Sequence, residues 1–294
     1  MANKNGTVTL KEIFEYEKRV YIDYSAQVLF SRKDSNKNPE GWLKQGVERI
    51  KQDINAIKGL IKILEKEQSY TVAETTKEIE QYKDAVVDRL FHPSYDIRRS
   101  KDVTNALREL KESVSKTVRS SRRKEIDALD TQFQTMYNLV ALIAQDNICN
   151  TKTKENKHLK IGDAKTRVPA DEKYVAACLV DTLRGVQPSL LTADARYFSL
   201  LGNIPRIAGS DLFAPYNDAF KRCYQSQRPQ LFFVEKEGTI SIINLDTDTQ
   251  FERFPLKFNN ALLVDKIKSF WQQHHQAIYE SSSLISYTPT KSVQ

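Results

Sequence analysis

Hydrophobic residues recur along the chain with two different spacings, and the change from one to the other predicts the fold. Residues 19–30 form an apolar, β-branched and aromatic run that is typical of a buried strand. Residues 41–68 place apolar side chains three or four positions apart, which predicts a long helix with one buried face. A short β-prone segment over 69–72 and another helix from about residue 73 follow. Strands and helices in alternation indicate an α/β fold.

The second half of the chain adds helices and then a further group of strands. Two helical patterns, over 103–118 and 126–143, are joined by a basic connection and are interpreted as a helical hairpin inserted over 91–150. Residues 1–280 are therefore predicted to form one domain, and the Ser- and Thr-rich residues 281–294 a flexible tail. The other predicted elements are a helix over 7–18, a helix over 173–180, a strand over 189–192, a strand pair over 229–234 and 239–244, and a closing helix over 261–276.

The net charge, the cysteines and the apolar runs of the chain indicate which classes of protein it can belong to. The chain has 294 residues and a formal net charge of +7, which a polyanionic partner and a solvated basic surface explain about equally well. Its three cysteines, Cys149, Cys178 and Cys223, show no paired spacing, so neither a disulfide framework nor a zinc site is expected. The amino terminus lacks the apolar core of a signal peptide, and no apolar run is long enough to cross a bilayer. A cytoplasmic protein without membrane contact is predicted.

Asp23 interrupts the first apolar run, and the other candidate residues are arranged around it. A strand interior is an unfavourable place for an unpaired charge. In an open α/β sheet, ligands bind just beyond the carboxyl ends of parallel strands, where an acid can hold a cation or a polar substrate. A helix that starts near Ser25 offers another explanation, in which Asp23 is only the N-cap of that helix.

Further acids stand at comparable places later in the chain. Glu78 lies on the helix that follows the second predicted strand. Asp171 and Glu172 come just before an apolar helix, and Asp194 follows a short buried strand. Carboxylates that converge at strand ends repel one another unless a cation lies among them. Because Mg²⁺ and Mn²⁺ prefer carboxylate oxygens and water, such a cluster favours a divalent metal site.

A basic segment separates the two helices of the predicted hairpin. Arg119, Arg122, Arg123 and Lys124 lie within six residues and carry the charge needed to contact nucleic acid phosphates. A solvated corner between two helices is the simpler interpretation of these residues taken alone. The segment is therefore a candidate nucleic-acid-binding site whose role depends on what lies beside it.

Four segments, taken together and in order, resemble the motifs of the PIN-domain nucleases. The first is Ile22-Asp23-Tyr24-Ser25, and the second is the helix that carries Glu78. The third is Asp171-Glu172-Lys173-Tyr174-Val175-Ala176-Ala177, and the fourth is Leu191-Thr192-Ala193-Asp194-Ala195-Arg196-Tyr197-Phe198. Tyr24 is bulkier than the usual Thr of the family, and Arg196 stands where many relatives carry a further Asp. Neither departure removes a core carboxylate.

The resemblance covers residues 17–90 and 160–240 and implies both a fold and an activity. The fold is a three-layer PIN-like α/β fold with a short, mostly parallel sheet, enlarged here by the helical hairpin. The activity is a Mg²⁺- or Mn²⁺-dependent endonuclease that hydrolyses phosphodiester bonds, most often in RNA. The implied residues are Asp23, Glu78, Asp171 and Asp194 in catalysis, Asp23, Asp194 and either Asp171 or Glu172 at the metal, Ser25 and Thr192 in support, and Arg119, Arg122, Arg123 and Lys124 at the nucleic acid.

Two other functions fit the same residues. In the first, the chain is a catalytically inactive PIN-like module, and the helical hairpin serves assembly with RNA, a protein partner or a second copy of the chain. In the second, the chain is a mainly helical scaffold whose acids only cap helices. A substantial sheet would argue against the scaffold, whereas metal-dependent RNA cleavage would separate the nuclease from the inactive module.

Overall fold

In this computed structural model the chain forms an α/β fold, and the described residues contribute eight helices and a six-stranded, mostly parallel sheet. The structure describes residues 7–26, 47–88, 101–126, 131–145, 169–194, 197, 200–201, 217–235, 238–243 and 261–279. The strands are β1 (Thr7–Val8), β2 (Val20–Ile22), β3 (Ser69–Tyr70), β4 (Ser189–Thr192), β5 (Gln230–Val234) and β6 (Ile240–Ile243). The helices are α1 (Leu10–Tyr16), α2 (Val47–Leu64), α3 (Ala73–Tyr82, continued by a π-helical turn over Lys83–Asp88), α4 (Lys101–Arg122), α5 (Thr131–Gln145), α6 (Pro169–Leu183), α7 (Asn217–Ser226) and α8 (Ala261–Tyr279).

The strand order in the sheet is β1-β6-β5-β4-β2-β3. Strands β2 and β3 are parallel, with Val20 opposite Ser69 and Tyr21 opposite Tyr70, and β1 runs antiparallel to β6. This sheet confirms the predicted α/β class and argues against a mainly helical scaffold. A PIN-like arrangement of the layers and an inserted hairpin stay predictions.

Contacts within the chain define two compact units. Unit 1 comprises Met1–Ile126, Leu191–Ala193 and Phe232–Ile242, and unit 2 comprises Asp127–Leu190, Asp194–Leu231 and Ile243–Gln294. The prediction of a single domain over 1–280 stays a prediction, and residues 281–294 lie outside the described residues.

The core of unit 1 forms between the sheet and the helices α2 and α4. The apolar stripe that predicted α2 is buried at Ile50, Ile54, Ile57, Leu60 and Leu64. These side chains pack with the buried face of α4 and with residues of β2, β4, β5 and β6. The three-and-four spacing therefore identified the buried face of this helix correctly. The helix lies between β2 and β3 in the sequence.

The core of unit 2 is centred on α6. Pro169 begins this helix, in keeping with the preference of proline for a first helical position, and residues Ala170–Leu183 are buried except for the half-buried Lys173. Helices α5 and α7 pack against α6, and α8 packs against α5. Small residues such as Ala176 and Ala177 allow neighbouring elements to approach α6 closely.

The two helices of the predicted hairpin belong to different units. Helix α4 packs on α2 and α3 in unit 1, whereas α5 packs on α6 and α8 in unit 2. The predicted end of the first helix at residue 118 is wrong, because α4 continues to Arg122. Its last turn carries Arg119 and Arg122, and positive charge at a helix carboxyl terminus is favourable.

Two predicted element boundaries are wrong, and one helix was not predicted. Residues 7–18 do not form one helix, because Thr7–Val8 pairs with β6 and Thr9 begins the helix in a reciprocal capping box with Glu12. Strand β2 ends at Ile22, well before residue 30. Helix α7 lies in a segment for which no element was predicted.

The predicted β5–β6 hairpin is confirmed. Gly238 has a φ of 80°, a conformation that glycine adopts without a steric penalty, and its N–H donates to the Glu235 carbonyl at 3.0 Å.

Candidate active site

Asp23 lies directly after β2, at the point where the chain leaves the sheet. The backbone N–H of Asp23 donates to the Leu191 carbonyl at 3.1 Å, so that the residue is still attached to β4. The Asp23 carbonyl then accepts from the Ala26 N–H at 3.0 Å, which closes a tight turn. The side chain is only 6% exposed. A buried carboxylate of this kind requires hydrogen-bond donors.

Two hydroxyl groups supply such donors. The Thr192 Oγ1 hydroxyl donates to Asp23 Oδ2 at 2.7 Å, and the Ser25 hydroxyl donates to the same oxygen. Each hydroxyl has one hydrogen, so both hydrogens are used on the carboxylate. The Ser25 oxygen in turn accepts from the Ala193 N–H at 2.8 Å. The side chain of Asp23 is therefore fixed by residues from two distant segments, and we name Asp23, Ser25 and Thr192 the Asp23 cluster.

The Asp23 cluster occupies the topological switch point of the sheet. From β2 the chain crosses to β3 on one side, and β4 lies on the other side of β2. The carboxyl ends of β2 and β4 meet, because Asp23 and Thr192 follow and end these strands and are hydrogen bonded to each other. In open α/β sheets, ligands bind outside the carboxyl ends of the strands at this point. A ligand-binding role for Asp23 therefore stays a prediction, and the 3-10 turn over 24–26 that begins directly after Asp23 agrees with the capping explanation.

The remaining predicted acids lie on other elements of the chain. Glu78 is half-buried on α3 in unit 1. In unit 2, Asp171 and Glu172 are buried in the first turn of α6, and Asp194 is half-buried just after β4. No three His, Cys, Asp or Glu side chains among the described residues form a group that could hold a metal ion. The structure therefore brings together Asp23, Ser25 and Thr192, and the shared role of the other acids stays a prediction.

The predicted basic residues lie at the end of α4 and in the turn that follows. Arg122 forms an ion pair with Glu80 of α3, and the Lys124 Nζ donates to the Glu67 carbonyl at 3.2 Å. Arg119 and Arg123 are exposed. Two of the four side chains thus attach this segment to unit 1, while the other two face solvent.

Two buried acids were not predicted from the sequence. Asp53 is buried on α2 among the apolar positions Ile50, Ile54 and Ile57, and a charge at an apolar position of a helical stripe is the signal that would have identified it. Asp181 is 1% exposed on α6.

Burial, followed by the charge of Asp181, raises the pKa of the Cys178 thiol well above its ordinary value. Cys178 is therefore a packed core residue.

Comparisons with known proteins do not assign the chain to a family. The chain matches no protein-family model, and no curated protein or solved structure shows significant similarity to it. The resemblance to PIN-domain nucleases consequently rests on the four motifs in the sequence. Among the described helices, none combines the length and the apolar character needed to span a membrane.

Proposed function

We propose that this protein is a divalent-metal-dependent endonuclease that hydrolyses phosphodiester bonds, with RNA as its substrate and a PIN-like site. The observation that carries the proposal is the buried Asp23 carboxylate at the topological switch point, fixed by the hydroxyls of Ser25 and Thr192. A helix N-cap needs only local backbone partners, whereas Asp23 also receives a hydroxyl donor from a residue 169 positions away. This long-range orientation is typical of a residue that must present one oxygen in a fixed direction.

The residues present fit a hard divalent cation. Mg²⁺ is commonly bound through one or two protein carboxylates together with substrate phosphates and water, so a group of three acids is not a requirement. Asp23 supplies one such carboxylate. When bound, Mg²⁺ or Mn²⁺ supplies a water of lowered pKa and neutralises charge on the phosphoryl oxygens. Ser25 and Thr192 hold the Asp23 carboxylate in one orientation, and the involvement of Asp194, Glu78 and either Asp171 or Glu172 stays a prediction.

The basic segment after α4 supports nucleic acid as the substrate. The Thr71 Oγ1 hydroxyl donates to the Ile22 carbonyl at 3.5 Å, so the carboxyl end of β3 lies beside the residue that precedes Asp23. Thr71 N–H in turn donates to the Lys124 carbonyl at 2.9 Å. The exposed Arg119 and Arg123 thus belong to a segment attached to the same edge of the sheet, where they can contact phosphates on either side of the scissile bond.

A single substitution tests the nuclease. Asp23→Asn keeps the size of the side chain and an oxygen acceptor for the two hydroxyls but removes the charge that binds the cation. Loss of a partner that only orients a metal ligand costs 10–100-fold, so loss of the ligand itself is expected to reduce cleavage by more than about 100-fold. Cleavage of a panel of labelled RNAs is measured in Mg²⁺, in Mn²⁺ and in EDTA.

Asp102→Asn is the matched control, because Asp102 is an exposed acid in the first turn of α4. It should cleave like the wild type. Circular dichroism and urea unfolding establish that Asp23→Asn is folded. Equal cleavage by Asp23→Asn and wild type, or full cleavage in EDTA, contradicts the proposal.

One observation favours a second candidate function. The exposed Arg119 and Arg123 can bind phosphates without any metal, as a catalytically inactive PIN-like module would require. Such a module binds RNA or a protein partner without cutting. RNA binding by the wild type, with no cleavage of any RNA in either metal, is the result that would support it.

A further inference from the structure

Residues Lys124–Ile126 extend the sheet beyond its edge strand β3. The Thr71 N–H donates to the Lys124 carbonyl, and the Ile126 N–H donates to the Thr71 carbonyl, both at 2.9 Å. Glu125 is thereby paired with Thr71 in parallel orientation. The sheet edge at Thr71 is covered by this segment, which we name the edge segment.

A chain of side-chain hydrogen bonds fixes the edge segment. The Thr76 Oγ1 hydroxyl, on α3, donates to Glu125 Oε1 at 2.6 Å. The Ser121 Oγ, on α4, lies 2.7 Å from Thr76 Oγ1. Because the single hydroxyl hydrogen of Thr76 is used on the carboxylate, Ser121 must be the donor to Thr76. Both hydroxyls are buried, so the order Ser121 to Thr76 to Glu125 is sheltered from water.

The edge segment lies close to Asp23. In the parallel register of β2 and β3, Thr71 is level with Ile22, and Glu125 is level with Thr71. Since neighbouring strands lie about 4.8 Å apart, the Glu125 backbone is about 10 Å from that of Ile22. The end of the basic segment is therefore held beside β3, level with the residue that precedes Asp23.

Glu125 lowers the positive charge of the basic segment that it follows. If charge alone governed this surface, the carboxylate would weaken its attraction for a polyanion. The hydrogen bond from Thr76 gives Glu125 a different purpose, because this bond attaches the end of the basic segment to α3. We expect Glu125 to act through the position that it gives to the basic segment and not through its charge.

We propose that Thr76 and Glu125 are positioning residues, which hold Arg119 and Arg123 where they bind the phosphates of a single-stranded RNA that passes Asp23. This inference rests on the proposed function for the identity of the ligand, and it assigns to that site a second point of contact with the strand. It predicts that removing the hydrogen bond weakens RNA binding, whereas removing only the charge of Glu125 does not.

The experiment compares Glu125→Ala with Glu125→Gln. Gln retains an oxygen that accepts from Thr76, and Ala does not. Affinity for a fluorescein-labelled 20-nucleotide oligo(U) is measured by anisotropy in EDTA, where no metal-dependent cleavage occurs, at several salt concentrations. We expect Glu125→Ala to bind about tenfold more weakly with a shallower salt dependence, and Glu125→Gln to bind at least as tightly as the wild type.

Further variants separate positioning from a general loss of structure. The double substitution Arg119→Ala with Arg123→Ala should weaken binding and reduce the salt slope, whereas Lys18→Ala, an exposed lysine ahead of β2, should not. In cleavage assays Glu125→Ala should raise KM and leave kcat unchanged, because it alters binding and not the reacting group. If Glu125→Ala does not fold, Thr76→Val compared with Thr76→Ser removes or keeps the same hydrogen bond.

The outcomes distinguish this inference from the proposed function. Binding that depends on Glu125 as described, in a protein that cuts no RNA, supports the positioning role and contradicts the nuclease. Cleavage lost in Asp23→Asn, with binding equal in wild type and Glu125→Ala, supports the nuclease and overturns the positioning role. No binding of oligo(U) by the wild type, or equal effects of Ala and Gln at position 125, also overturns it.

Discussion

The Asp23 cluster in unit 1 and the first turn of α6 in unit 2 both bury acidic side chains, but they do so by different means. Asp23 and Asp171 are each 6% exposed and Glu172 is 3% exposed, so burial alone does not separate them. The first turn of a helix has unpaired N–H groups and a partial positive charge, which stabilise any acid placed there. Asp23 precedes only a short 3-10 turn over 24–26, and it also accepts the Thr192 hydroxyl from another strand.

This difference shows which buried acid calls for a functional explanation. The acids of α6 lie in the first turn of a helix, whose partial positive charge stabilises them from their own segment of chain. The Asp23 site requires that β2 and β4 be neighbours and end at the same level, which only the folded sheet achieves. An acid with a partner from a distant segment has a higher structural cost, and the proposed ligand would account for that cost.

The largest effect on stability is expected at Thr192. Thr192→Val keeps the shape of the side chain but removes a donor from a buried carboxylate, and hydrogen bonds to charged groups contribute about 2 kcal/mol. The matched control is Thr182→Val in α6, because Thr182 is also buried but donates to the neutral carbonyls of Cys178 and Gln227 at 2.9 and 3.1 Å. That variant should lose about 1 kcal/mol. Urea unfolding measures both, and equal losses would show that Asp23 is not specially held.

A smaller effect is expected from the acids of α6. Asp171→Asn and Glu172→Gln remove a negative charge from a helix amino terminus, which should lower the free energy of unfolding by about 0.5–1 kcal/mol each. Asp265→Asn is the control, since Asp265 is exposed and lies beyond the first turn of α8. RNA cleavage by the same variants then identifies the third acid, because only the variant that lacks the metal ligand loses activity. If both cut RNA like the wild type, the proposed site does not include α6.

Local sequence patterns predicted the elements whose contacts are regular. The apolar stripe of α2 was predicted from a spacing that repeats over five turns. Strand β4 was predicted from a short apolar segment, and all four of its residues are buried. Strand β1 was missed because two residues have no period, and it pairs with β6, more than 200 positions later. Residues 27–46 and 146–168, where parts of the predicted loops and helices fall, lie outside the described residues.

The candidate site was predictable only in part. Asp23 was identified because a charge interrupts an apolar run, and Ser25 and Thr192 were reached through a family resemblance and not through any local rule. The edge segment was missed because a single bridge between Thr71 and Glu125 leaves no periodic signal. A polar residue in a short connection is predicted to be exposed to solvent unless the neighbouring strand is known. Because strand order depends on the whole chain, a local pattern cannot identify that neighbour.

The smallest effect concerns the cysteines of unit 2 and tests whether α6 is its buried centre. Burial raises the pKa of Cys178 well above the ordinary thiol value, and burial also raises the pKa of the half-buried Cys223 on α7, against the charge of Arg222. A raised pKa lowers the thiolate fraction at pH 8, and labelling should accelerate only as the pH rises beyond the ordinary range.

In a Cys149→Ser background, iodoacetamide followed by mass spectrometry should show Cys223 modified faster than Cys178, because the Cys178 thiol is buried away from the reagent and Cys223 is only half-buried. Labelling in urea should make the two rates equal, since unfolding removes the burial that separates them. Equal rates in the native protein would place α6 at an accessible surface. The helix dipole would then not be needed to explain how Asp171 and Glu172 are accommodated. The comparison between these buried acids and Asp23 would no longer hold.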